Sequence, residues 1–259
     1  MHGQSGTTSN LLAIAVMSSL QYQSKNMVTQ THFSLNNLEA PLVSSSHSIS
    51  KEYLLDVGID ALARSIKSAP LDGEILEDSS ISLLNKKLNF LPGTVKNNRD
   101  IYESDISKTI HGILKAAANY YDIVFIDTNS GSNALTMKIL QNADLIIVNL
   151  CQNKSIIEDY ALNYRLDSNK VFYLIGNYDN NSKYNIKNIQ RNYRWLKKKN
   201  TAVIPYNTEY MDAQSDGQVI PFMINNMNCN KDEMNAYFIY EVKRAVFKIM
   251  KCAGIKARY

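Results

Sequence analysis

At 259 residues, 45% of them hydrophobic and 20% charged, the chain has the composition of one α/β domain spanning residues 1–259, not that of a disordered or fibrous protein. No segment approaches the roughly 20 apolar residues of a membrane span, and a formal net charge of +4 is too small to imply a nucleic-acid partner by itself. Cys151, Cys229 and Cys252 are scattered, odd in number and form no CxxC pair, so they read as buried thiols in a reducing cytoplasm and not as disulfides or metal ligands.

The chain opens on His2-Gly3-Gln4-Ser5-Gly6-Thr7-Thr8-Ser9, followed at once by the apolar, helix-like run Leu11–Met17. Its apolar stretch to Leu20 lacks the basic n-region of a secretion signal. A Gly-rich turn feeding a helix presents backbone N–H groups and a positive dipole end to an anion. In a phosphate-binding loop that turn follows a buried strand and carries a lysine. Here the opening shows no strand before Gly3, and Thr7 stands in the lysine's place. Thr7 to Ser9 are also good N-cap residues, so the same segment reads as a capped helix start.

Met27–Thr31 is a weak strand candidate, and residues 40–84 read as mostly helical or irregular. Leu88–Leu91 before Pro92-Gly93 fits a strand. Asp122–Asp127 is the clearest strand, an apolar run closed by a carboxylate and then Thr128-Asn129-Ser130-Gly131. A helix over Ala134–Asn142 follows, then strands over Leu145–Leu150, Val171–Gly176 (ending in Asn177) and Ala202–Ile204, the last running into Pro205. Continuous apolar runs alternating with helices predict a mostly parallel sheet flanked by helices.

Two further stretches carry alternatives. Lys183, Lys187, Arg191, Arg194 and Lys197–Lys199 form an acid-free basic run with Tyr184, Tyr193 and Trp195 interleaved. It reads either as a solvated helix face anchored by its aromatics or as a surface for non-specific DNA. Phe238, Val242, Val246 and Ile249 recur at helical spacing among Lys243, Arg244, Lys248 and Lys251. That stripe fits a core-packing helix, with a membrane-surface helix as the alternative.

Taken in order, Asp122–Asp127, Ala143–Val148, Gly176-Asn177, and Ile204-Pro205-Tyr206 with Ala213 and Gly217-Gln218-Val219 resemble the ParA/MinD family of P-loop ATPases over nearly the whole chain. Among its members the chain is most similar to atypical ones from the Tad-type pilus system. The resemblance implies a P-loop NTPase-like fold. It implies ATP and Mg²⁺ as cofactors, held by Gly3, Gln4, Ser5, Gly6, Thr7, Thr8 and Ser9, with Thr8 and Asp127 at the metal, Gly131 sensing the γ-phosphate and Asn177 against the base. It further implies a cytoplasmic homodimer that positions a pilus or partition apparatus, recruited to the inner face of the membrane or to DNA. Lack of a CxxC pair sets the chain apart from the iron–sulfur carrier branch.

The departures are equally specific. Against the family pattern KGGxGKT, His2 and Thr7 replace both lysines and Gln4 replaces a glycine. Losing one preorganised charge typically costs about a hundred- to a thousandfold in rate. Thr29-Gln30-Thr31-His32-Phe33 also lacks the aspartates expected there, one of which would orient water. ATP binding without ordinary turnover, or a nucleotide-free scaffold, is therefore the expectation. The missing first strand is expected to be encoded just upstream of Met1.

Overall fold

The computed structural model describes residues 6–33, 38–43, 56–129, 133–164 and 169–255. Among them seven strands form two sheets. In the first, β1 (Asn26–Gln30) lies between β3 (Leu88–Leu91) and β4 (Ile123–Asp127), parallel to both, and β2 (Ile81–Leu83) adds antiparallel to β3. In the second, β6 (Val171–Tyr178) lies between β5 (Ile146–Leu150) and β7 (Thr201–Pro205), all parallel. Continuous apolar runs produce strands buried on both faces, as β1, β3 and β7 are along their whole lengths.

The predicted mostly parallel sheet flanked by helices is present, but as two sheets. One helical layer serves both. α1 (Thr7–Gln21) is apolar nearly all round from Leu12 to Met17, and it is buried as a central helix must be. It packs with α9 (Thr208–Ser215), α10 (Val219–Asn226) and α11 (Ala236–Cys252) against Val28, Phe90 and Phe125 of the first sheet and Phe172, Leu174 and Ile204 of the second.

On the other face each sheet has its own core. α3 (Ile59–Ser65), α4 (Gly73–Asp78) and α5 (Arg99–Tyr120) cover the first, whereas α7 (Lys154–Asn163) and α8 (Ile186–Asn192) cover the second. α6 (Ala134–Asn142) touches both, through Leu135 and Ile139 on one side and Leu140 on the other. A short α2 (Glu39–Leu42) lies beyond β1.

Among the described residues nothing pairs with the free edge of β4 or that of β5. Ile123, Val124 and Ile126 on β4 and Ile147 on β5 are correspondingly only half-buried.

Residues 40–84, read from sequence as helical or irregular, also hold β2. Its hairpin to β3 turns through Leu84, Asn85 and Lys86, all with positive φ (51°, 52° and 68°) and none of them glycine, so Asn85 is the one turn-favouring residue that signals it. Strand β6 runs one residue beyond Asn177, to Tyr178.

Candidate functional site at the start of the first helix

The site is built where α1 begins. Gly6 has φ 73°, a left-handed backbone that favours glycine, and its carbonyl accepts from Asn10 N at 2.8 Å, closing the first helical turn. Gly6 is itself the N-cap, so Thr7, Thr8 and Ser9 lie inside the helix and do not cap it. The Thr8 hydroxyl is directed elsewhere and donates to Asp127 Oδ2 at 2.6 Å, joining the helix start to the last residue of β4.

Asp127 is buried, with Oδ1 unpartnered. A carboxylate oxygen orphaned out of water is costly, on the order of 1–3 kcal/mol. His32 Nε2 stands 3.4 Å from Oδ2 and is likewise buried without a hydrogen bond. His32 occupies the stretch after β1 where sequence reasoning noted only missing aspartates. Its meeting with Asp127 follows from β1 pairing with β4 in a register that sets Gln30 beside Asp127, with Thr31 N donating to the Asp127 carbonyl at 2.9 Å.

Two further residues escaped the sequence reading. Asn10, buried in the first turn of α1, donates from Nδ2 to Asn149 Oδ1 on β5 at 2.8 Å. Together with Thr8, it ties α1 to one strand of each sheet. Tyr210 donates from its hydroxyl to the Ser9 carbonyl at 2.8 Å, fixing the first turn from behind. Complete burial pushes its phenol far above the usual range, so it remains a donor, packed 4.7 Å from the Phe238 ring. A polar residue inside an apolar run, as at Asn149, was the available sequence signal; Asn10 ends the polar stretch Thr7–Asn10 and carried none.

Of the residues singled out from sequence, Gly6, Thr8, Ser9 and Asp127 come together here, and Thr7 is exposed at the helix start. Asn177 is exposed near the end of β6 with left-handed backbone (φ 47°) and takes no part in the Thr8–Asp127 contacts. Gly3, Gln4, Ser5 and Gly131 lie outside the described residues.

The donor set fits a small hard cation. A carboxylate oxygen without a partner and a hydroxyl on the same carboxylate are the oxygen ligands Mg²⁺ prefers, and it commonly completes its shell with water and phosphate oxygens. Among the described residues no group of three or more His, Cys, Asp or Glu forms a self-sufficient metal cage, so such an ion would depend on a bound anion for further ligands.

The basic run divides. Lys187 and Arg191 sit on α8, Lys198 and Lys199 in a single 3-10 turn (Lys198–Asn200), and the aromatics turn inward, with Trp195 lying 5.0 Å from the Tyr173 ring. The stripe Phe238, Val242, Val246 and Ile249 is buried in the core. Among the described residues no helix is long and apolar enough to cross a membrane.

No protein-family model and no curated protein matches the chain. Solved structures do. MinD, a septum site-determining protein from Pyrococcus horikoshii complexed with Mg-ADP, superposes with a TM-score of 0.70 at 17% identity, covering 100% of this chain and 96% of that one. A ParA family ATPase from Chlorobium tepidum gives 0.70 at 12% identity, with 95% of each chain covered. A plasmid partition protein from Borrelia burgdorferi bound to AMPPNP gives 0.63 at 15%, covering 96% and 95%. The chain therefore has the fold of the ParA/MinD ATPases.

Proposed function

We propose that the chain binds Mg·ATP at the start of α1 and acts as a nucleotide-dependent positioning or assembly factor. The observation that carries this reading is the Thr8–Asp127 hydrogen bond, beside an Asp127 oxygen with no partner. Gly6 and the first-turn amides of α1 offer N–H groups and a positive dipole end to phosphate oxygens. The Thr8 hydroxyl and Asp127 carboxylate hold Mg²⁺, which when bound neutralises phosphate charge. Gly3, Gln4, Ser5, Thr7 and Ser9 complete the phosphate loop, Gly131 senses the γ-phosphate, and Asn177 receives the base.

With threonine at position 7 and no aspartate in Thr29–Phe33, the site binds better than it hydrolyses. Two chains then associate face to face on nucleotide. The partners are proteins of a polar apparatus such as a Tad-type pilus. Calorimetric titration with Mg·ATP tests the binding, and gel filtration with and without nucleotide tests the association.

We propose further that the strand expected upstream of Met1 lies parallel between β4 and β5 and joins the two sheets. The unpaired inner edges, their half-buried apolar residues, and α1 reaching both edges through Thr8 and Asn10 support this. A strand leaving that gap at the Asp127 and Asn149 end would point toward the start of α1.

A further inference from the structure

A cavity of about 460 Å³ runs along the open edge of β7, between α8 and α11, and includes none of the residues at the start of α1. Its volume is within the roughly 300–1,000 Å³ of small-molecule sites. Lys187, Lys198, Arg244 and Lys248 line it against one carboxylate, Glu241, which already accepts from Arg244 at 3.1 and 3.3 Å.

Lys248 is half-buried and held in place by the carbonyls of Lys198 (2.9 Å) and Thr201 (2.7 Å). Burial, then the neighbouring Arg244, push its ammonium below the usual lysine range, while Glu241 pulls the other way. Positive charge is thus crowded at the Thr201 end of the cavity. Near Tyr178 the wall changes character, and Tyr237 presents a partly exposed ring.

We propose that this cavity is a binding site for a phosphorylated small molecule with a flat or apolar body. Its phosphate lies among Lys198, Arg244 and Lys248, and its body rests against Tyr237. A dianion relieves the repulsion among the three cations, and the Arg244 guanidinium can meet two phosphate oxygens at once.

Phenyl phosphate is the probe, titrated by calorimetry at constant ionic strength. We expect saturable binding that weakens at least tenfold in the Arg244→Gln, Lys198→Gln double variant and persists in Gly6→Trp. Both exchanged side chains are exposed, so circular dichroism should show an unchanged fold. Phenol should not bind, and inorganic phosphate should bind more weakly than phenyl phosphate. Lack of saturable heat from phenyl phosphate overturns the proposal, as does binding lost only in Gly6→Trp. Random-sequence duplex DNA binding through the same lysines while phenyl phosphate fails would make this a polyanion surface and also overturn it.

Discussion

The Thr8 hydroxyl and the Asp127 carboxylate, 119 positions apart in sequence, meet at 2.6 Å and couple the first turn of α1 to the end of β4. A hydrogen bond to a buried carboxylate is among the stronger kinds. Thr8→Ala leaves both Asp127 oxygens without a side-chain hydrogen bond, with His32 Nε2 3.4 Å from Oδ2, and we expect a loss of about 1–3 kcal/mol. Urea denaturation should show a lowered midpoint with an unchanged slope. A variant as stable as the parent would mean that solvent already serves this carboxylate.

Asn10 and Asn149 form the corresponding tie to β5. Either asparagine changed to alanine strands its partner's amide. The double variant should recover part of the loss, with a coupling energy of about 0.5–3 kcal/mol in a double-mutant cycle. Strictly additive single losses would show that α1 does not link the sheets through this pair.

Several of these relationships were legible in the sequence and others were not. Apolar runs closed by Asp127, Asn177 and Pro205 located three strands to within a residue or two, because strands buried on both faces need unbroken apolar sequence. The three-residue β2 has no such run. Thr8, Ser9 and Asp127 were read as site residues from the resemblance to the ParA/MinD family. His32 and Tyr210 were not, because each reaches the site through packing between elements far apart in the chain. The division into two sheets is visible only once strand pairing is known.

Glu39 gives a pH signature. It accepts from Gln30 Nε2 at 2.8 Å and Gly93 N at 3.2 Å, yet burial outweighs these bonds and raises its carboxyl above the ordinary value. The folded chain therefore holds this proton more tightly than the unfolded chain. The stabilisation is fully present below the ordinary carboxylate pKa and disappears as pH rises through the raised native value. Urea midpoints followed upward from about pH 4, near the unperturbed Glu value, should fall and then level off. Glu39→Gln should remove that step. An identical profile in the variant would assign the step to another group.

Two phenylalanines on α11 separate a core helix from a membrane-surface helix. Phe238 is 2% exposed and Phe247 60%. Phe238→Ala should cost about 3–5 kcal/mol, whereas Phe247→Ala should stay within about 0.5 kcal/mol. Thermal or urea unfolding distinguishes them. Equal, small effects at both positions would show that the stripe does not pack into the core.

The proposed joining strand predicts a pattern of amide exchange. Backbone amides on the free edges of β4 and β5 should exchange much faster than those of β1 and β6, each of which is paired on both sides. In a chain extended N-terminally by an apolar strand, the β4 and β5 edges should become protected. Unchanged edge exchange in the extended, folded chain would contradict the proposal.

The central claim is nucleotide binding at Gly6, Thr8 and Asp127, and calorimetric titration of Mg·ATP into the folded protein tests it most directly. We expect saturable, magnesium-dependent binding in the micromolar range, abolished by Gly6→Trp with the circular dichroism spectrum preserved. Absence of binding by a folded protein, or binding indifferent to Gly6→Trp and Asp127→Ala, would contradict the claim and leave the start of α1 a structural junction between two sheets.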